Sequence, residues 1–188
     1  MAAEPLPITG LVLAGGQGSR MGGRDKGLVE YRGRALVDHV IERLAPQVDE
    51  LILSANRNLE EYARRGYRVL RDTLPDFQGP LAGVLAGLQA ARHGWVLTVP
   101  CDMPHLPADL AQRMMSARDG FDIVVAVDDG ARTHPAVMLI HTRLAHALTD
   151  YLAAGWRSVH GFQESAGFAT AHFEAASMAN INRLDEAG

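Results

Sequence analysis

Residues 8 to 27 constrain this chain more than any other stretch. Ile8-Thr9-Gly10-Leu11-Val12-Leu13-Ala14 is a short apolar run, β-branched at its start and followed by glycine, the pattern of a buried parallel strand. The chain then enters Gly15-Gly16-Gln17-Gly18-Ser19-Arg20-Met21-Gly22-Gly23-Arg24-Asp25-Lys26-Gly27. In open α/β sheets, ligands sit beyond the carboxyl ends of the strands, which is where such a loop emerges. Glycines let the backbone approach phosphates and turn its N–H groups toward them. Arg20 and Lys26 supply the charge to neutralise a triphosphate. Two common phosphate motifs do not fit. A dinucleotide fingerprint started at Gly16 would need glycine where Met21 stands, and a P-loop would need glycine before Lys26 and a hydroxyl after it, where Asp25 and Gly27 stand. A flexible glycine turn with solvated cations is the plain alternative, and the density of both residue types in one loop weighs against it.

The remaining pattern predicts an α/β architecture. Leu36, Val37, Val40, Ile41 and Leu44 share one face of a helix expected over 35–44. Further strands are expected over 51–53, 67–70, 95–99, 122–127, 133–140 and 168–173, with helices over 59–65, 81–91, 108–117 and 142–153. Asp128-Asp129-Gly130 has turn composition between two strand-like runs, so a hairpin is expected there. Strands alternating with helices imply a three-layer fold, a mostly parallel sheet with helices on both faces and a small antiparallel addition. No repeat or linker interrupts residues 1–188, so one domain is the simplest organisation.

Charge and composition narrow the class. A net charge of -4 disfavours general nucleic-acid binding, which needs many cations against phosphates. Cys101 is the only cysteine, which excludes an intrachain disulfide and fits a reducing compartment. Residues 1–7 lack the basic and apolar segments of a secretory signal, and no run reaches membrane-spanning length, so a cytoplasmic location is expected.

Asp102 follows the strand expected over 95–99, so it should stand at the same sheet edge as the glycine loop. A hard Mg²⁺ that bridges phosphate oxygens needs only one or two carboxylates, and Asp102 is the candidate; a strand-end aspartate is otherwise a cap or turn former. Asn180 and Asn182 lie two apart, so in extended chain their amides face one side and could hold a ring system or a phosphate, or simply form a turn. Cys101 has no neighbouring base and reads as a core residue. His134, before Pro135, reads as a substrate contact or a turn residue. The histidines form no H-E-x-x-H pattern, so zinc is not expected.

Leu13-Ala14-Gly15-Gly16, then Arg20-Met21-Gly22-Gly23, then Asp25-Lys26-Gly27 resembles the signature loop of the molybdenum cofactor guanylyltransferases. Gly79-Pro80-Leu81-Ala82-Gly83, Pro100-Cys101-Asp102-Met103-Pro104, His134-Pro135 and Asn180-Ile181-Asn182 follow in that family's order, so the resemblance spans nearly the whole chain. It implies a Rossmann-like nucleotidyltransferase fold and an enzyme that joins GTP to molybdopterin, with Mg²⁺, releasing pyrophosphate and forming the guanine dinucleotide. It also implies GTP and molybdopterin as ligands, with other cofactor-biosynthesis proteins and molybdoenzymes as partners. Carried over by position, Lys26, Arg20 and Asp102 become catalytic, and Asp102 the metal ligand. Leu13, Ala14, Gly15, Gly16, Lys26, Ser54, Asp72, Gly83 and Asp102 become nucleotide contacts, and Asn180 and Asn182 pterin contacts. The N-terminal half would then hold the nucleotide and the C-terminal half the pterin.

One position departs from the family: Ser54 stands where it carries asparagine on the guanine side, with Asn56 two residues on. Cytidylyltransferases acting on the same pterin typically read Leu-Ala-Ala-Gly, so Gly15 favours the larger purine. Sugar-1-phosphate nucleotidyltransferases are generally longer chains. A non-catalytic nucleotide sensor would have no need to keep both Lys26 and Asp102.

Overall fold

The computed structural model describes residues 6–15, 25–71 and 79–181. Its centre is a seven-stranded sheet built from β1 (Ile8–Leu13), β4 (Glu50–Ser54), β5 (Arg68–Leu70), β6 (Trp95–Pro100), β7 (Ile123–Asp128), β8 (Thr133–His141) and β9 (Ala169–Phe173), in the order β5-β4-β1-β6-β8-β7-β9. β1 runs parallel to β4 and β6, β4 to β5, and β7 to β9, while β8 is antiparallel to both β6 and β7. The hairpin expected around residues 128–130 is therefore present, but its returning strand is inserted inside the sheet, beside β6. A separate antiparallel ribbon, β2 (Glu30–Tyr31) with β3 (Arg34–Ala35), leads into the first helix. Its strands are two residues long, too short for a periodicity to announce them.

Alternation along the strands sends successive side chains to opposite faces, so a hydrophobic core forms on each face of the sheet. On one face, Val12, Leu53, Leu97 and Val124 pack with Val37, Val40, Ile41 and Leu44 of α1 (Leu36–Leu44), Tyr62 of α2 (Leu59–Ala63) and Leu110 and Met114 of α4 (Leu110–Ser116). On the other, Leu11, Ile52, Val96 and Val125 pack with Leu81, Val84, Leu85 and Leu88 of α3 (Pro80–Ala90), Leu148 and Leu152 of α5 (Ala145–Ala153) and Phe162 of α6 (Val159–Ala166). The expected three layers are thus formed. The helix expected from residue 142 begins as a 3₁₀ turn over Thr142–Leu144, with α5 proper starting at Ala145. α6 was not expected; its N-terminus is capped by the Ser158 side chain, which accepts the Gly161 N–H at 3.0 Å.

α3 lies against β1 more closely than a side chain would permit. A Cβ added at Gly87 would overlap the Leu11 side chain, which is fully buried and has no room to withdraw. Gly87→Ala is therefore expected to cost about 1–3 kcal/mol, as overpacking a filled core does. Thermal unfolding followed by circular dichroism should show a midpoint lower by several degrees, and an unchanged midpoint would mean that α3 lifts from β1 at no cost.

Candidate active site

The carboxyl ends of β1, β4 and β6 stop level with one another. Leu13 pairs with Ser54 on one side and Pro100 on the other. The ladder then continues for one more bond each way: the Ala14 N–H donates to the Ser54 carbonyl at 2.8 Å, and the Cys101 N–H to the Leu13 carbonyl at 3.1 Å. Ala14, Ser54, Cys101 and Asp102 are thereby set along a single edge, where the glycine-rich loop begins.

Asp102 is the hub of this edge. It is only 6% exposed, yet its carboxylate forms an ion pair with Lys26 and accepts the Asn180 side-chain N–H groups at 3.2 Å to each oxygen. Its backbone carbonyl also accepts the Ile181 N–H at 2.9 Å, which fixes the late segment against the end of β6. The loop after β1, the end of β6 and the C-terminal region therefore meet at one carboxylate. An ammonium and an amide thus meet the hydrogen-bonding needs that burial imposes on this carboxylate.

Lys26 is held by what precedes it. It opens the 3₁₀ turn Lys26–Leu28, and Asp25 before it is buried. The Asp25 carboxylate accepts the Tyr62 hydroxyl at 2.6 Å and the Asn58 amide at 2.9 Å, with the Arg57 guanidinium 3.8 Å away. Burial, aided by the nearby Cys101 and Asp25, pushes the Tyr62 hydroxyl far above its ordinary range, so Tyr62 stays a donor. Sequence reasoning passed over Asp25, since an acid beside a lysine reads as a solvated pair. Cys101 is buried as expected; burial, followed by the neighbouring Asp102 and Asp25, raises its thiol, which keeps it from acting as a nucleophile.

A second group of expected residues gathers beside this cluster. Ser54 is 2% exposed, and a Cβ added at Gly83 on α3 would lie 2.7 Å from its hydroxyl and 3.3 Å from the Leu13 side chain. A Cβ added at Gly15 would lie 3.3 Å from the Asn56 amide nitrogen. Leu13, Ala14, Gly15, Ser54 and Gly83 thus converge where β1 and β4 meet α3, with Asn56 in reach. Gly16, Arg20, Asp72 and Asn182 lie outside the described residues. His134 is elsewhere on the edge: it is 8% exposed and its Nε2 lies 3.0 Å from the Asp128 carboxylate across the β7–β8 hairpin. The N–H groups of Arg132 and Gly130 also bond Asp128 at 3.0 Å. The Arg132 N–H chiefly, with His134, holds the Asp128 carboxyl below its usual value. His134 therefore closes the hairpin, the turn role among the two expected for it.

Among the described residues no three His, Cys, Asp or Glu side chains stand together as a metal site. No helix among them is long and apolar enough to cross a membrane.

Comparison with known proteins decides the family. Residues 10–166 match the MobA-like NTP transferase domain. The chain is 43% identical over 181 residues to the molybdenum cofactor guanylyltransferase of Serratia proteamaculans, covering 95% of this chain and 91% of that protein. It is 46% identical over 186 residues to the enzyme of the same name from Cupriavidus necator, covering 95% and 94%. This chain belongs to the molybdenum cofactor guanylyltransferases. Among solved structures, molybdopterin-guanine dinucleotide biosynthesis protein A from Archaeoglobus fulgidus superimposes with a TM-score of 0.78 at 22% identity, over 95% of this chain and 94% of that one. 2-C-methyl-D-erythritol 4-phosphate cytidylyltransferase from Thermus thermophilus does so with a TM-score of 0.71 at 17% identity, over 94% and 95%. The fold of this guanylyltransferase family member is thus one that it shares with both of these structures.

Proposed function

We propose that this guanylyltransferase transfers GMP from GTP to molybdopterin, releasing pyrophosphate and forming molybdopterin guanine dinucleotide. The observation that carries the reading is the junction of Lys26, Asp102 and Asn180 at the sheet edge, next to the Leu13, Ala14, Gly15, Ser54 and Gly83 group. Nucleotidyl transfer is an in-line displacement governed by positioning and charge, and both substrates must meet at one phosphorus. The acceptor phosphate of molybdopterin is already anionic at neutral pH, so no base is needed. Its oxygen bonds the α-phosphorus of GTP while the bond from that phosphorus to the bridging oxygen breaks, and pyrophosphate leaves with the electron pair. Lys26 neutralises the phosphate charge that builds along this path, with Arg20 as its partner in the loop.

The group formed by Leu13, Ala14, Gly15, Ser54 and Gly83 holds the nucleotide, with Gly16 and Asp72 assigned to it by the family resemblance, and Asn180 with Asn182 holds the pterin. In this reading the N-terminal half of one domain holds the nucleotide and the C-terminal half the acceptor, a division supported by the contact of Lys26 and Asn180 with Asp102. Mg²⁺ fits the same place: Asp102 is a buried anionic carboxylate, and such an ion needs only one or two carboxylates when phosphate oxygens and water complete its shell. Bound there by Asp102, the ion would polarise the α-phosphate and neutralise the leaving pyrophosphate. The buried lone thiol suits a reducing compartment, and a cytoplasmic enzyme that hands its product to other cofactor-biosynthesis proteins and molybdoenzymes is part of the proposal.

The test is turnover with molybdopterin, Mg²⁺ and each of GTP, CTP, ATP and UTP in turn, followed by pyrophosphate release. GTP should exceed CTP and ATP in kcat/KM by at least about 100-fold, because polar groups set for guanine are left unpaired by another base. Comparable turnover with CTP would overturn the guanine assignment.

A further inference from the structure

A cleft of about 540 Å³ opens on the α1 and α4 face, between the β2–β3 ribbon, α1 and the segment after Asp102. None of Lys26, Asp102 and Asn180 lines it. The walls carry three guanidiniums, Arg32, Arg34 and Arg43, against the single carboxylate of Glu42. That is a concentrated positive region on a chain whose net charge is -4. Glu42 is already taken by Arg34, at 2.6 Å. Arg32 lies over the Tyr31 ring, 5.1 Å from its centroid, and neither it nor Arg43 has a carboxylate partner among the described residues.

The cleft also has a fixed polar floor. The His39 Nε2 sits 2.8 Å from the Tyr31 carbonyl, which makes it the protonated nitrogen and turns Nδ1 toward Arg34, 3.2 Å away. His105 Nε2 is 3.1 Å from the Tyr31 hydroxyl. Burial lowers the His105 imidazole below its usual value, and the charges of Arg32 and Arg43 lower it further, so both guanidiniums act on one point inside the cleft. The turn that presents Arg32 is unusual as well. Arg32 and Gly33 occupy it with φ of 49° and 79°, a geometry that asparagine and glycine adopt far more readily than arginine. Arginine here accepts a backbone cost while its side chain supplies the charge at the cleft mouth.

We propose that this cleft is a second anion-binding site, separate from the Lys26–Asp102 cluster, that takes a small phosphate-class polyanion such as pyrophosphate. The guanidiniums of Arg32 and Arg43, neither paired with a carboxylate among the described residues, match an anion with several charged oxygens better than a singly charged one. The site would stand whatever the acceptor of nucleotidyl transfer is.

Calorimetric titration of the full chain with inorganic pyrophosphate, and separately with inorganic phosphate, tests this. Lys26→Ala removes the active-site cation paired with Asp102 and should leave a pyrophosphate isotherm in place, which the Arg32 and Arg43 replacements below distinguish from any binding kept by Arg20. Adding Arg32→Asn and Arg43→Gln should weaken that isotherm at least about ten-fold, since each removes one charge-assisted contact. Asparagine suits the left-handed turn and glutamine suits a helix, so thermal unfolding should confirm an intact fold. In Lys26→Ala, pyrophosphate should bind more tightly than phosphate. Loss of all pyrophosphate binding in Lys26→Ala, unchanged binding in the triple variant, or phosphate binding as tightly as pyrophosphate would each overturn the proposal.

Discussion

Asp102→Asn is expected to lower kcat/KM at least about 1,000-fold, roughly 4 kcal/mol of transition-state stabilisation at 1.36 kcal/mol per tenfold. The position of Asp102 after β6 suggests at first that alanine would be harmless to the fold, since strand ends carry little packing. The structure places the residue differently: it is 6% exposed, and its side chain ties two distant segments. Alanine would therefore remove charge, two hydrogen-bonded contacts and volume together. Asparagine keeps the volume and leaves the backbone bond to Ile181 untouched, so it isolates the charge. Without the carboxylate, the ion pair to Lys26 is lost, and the Mg²⁺ proposed above would lose its ligand. The Lys26 side chain is 26% exposed and can hydrate, so the fold should survive, with a thermal midpoint within a few degrees of wild type. Retention of near-normal, Mg²⁺-dependent turnover would remove Asp102 from the metal site.

Lys26→Ala and Asn180→Ala are expected to damage one function jointly. Lys26→Ala should lower kcat by about 100- to 1,000-fold and weaken GTP, since a cation aimed at developing charge is lost. Asn180→Ala should cost about 10-fold, in the range of one hydrogen bond to a charged group, and should weaken molybdopterin more than GTP. Because both side chains hold the same carboxylate, their effects should not multiply. A double-mutant cycle on kcat/KM should return a coupling of about 0.5–3 kcal/mol, as for residues in one network. Strict additivity would mean that the shared Asp102 does not link the two substrate sides. Calorimetry with each ligand separates the roles: if Asn180→Ala weakens GTP as much as Lys26→Ala does, the assignment of Asn180 to the acceptor fails.

What could be read from the sequence was local. The strand entering the glycine loop, the helix carrying Val37, Val40 and Ile41, and Asp102 just beyond the strand that ends at Pro100 all declare themselves within a few residues of chain. The hairpin was legible from Asp128-Asp129-Gly130, but not the insertion of β8 beside β6, because a strand pattern shows which face is buried and not which strand lies next to it. The meeting of Asn180 with Asp102 joins residues 78 positions apart, beyond any periodicity. Asp25 was hidden for another reason: its meaning depends on Tyr62 and Asn58, which reach it only once α2 has packed. The cationic cleft is likewise an assembly of a short ribbon, one helix and the segment after Asp102, none of which stands out alone.

Transfer of the α-phosphate group from GTP to molybdopterin at the Lys26–Asp102 cluster, as proposed above, is open to direct observation. A rapid-quench single turnover with GTP labelled at either the α- or the γ-phosphorus, in the presence of molybdopterin and Mg²⁺, follows that group directly. The α-label should appear in the dinucleotide and the γ-label in pyrophosphate, each at the same rate, and both should stop in Asp102→Asn. Release of labelled GMP or inorganic phosphate without dinucleotide, or transfer that proceeds unaltered in Asp102→Asn, would contradict the account.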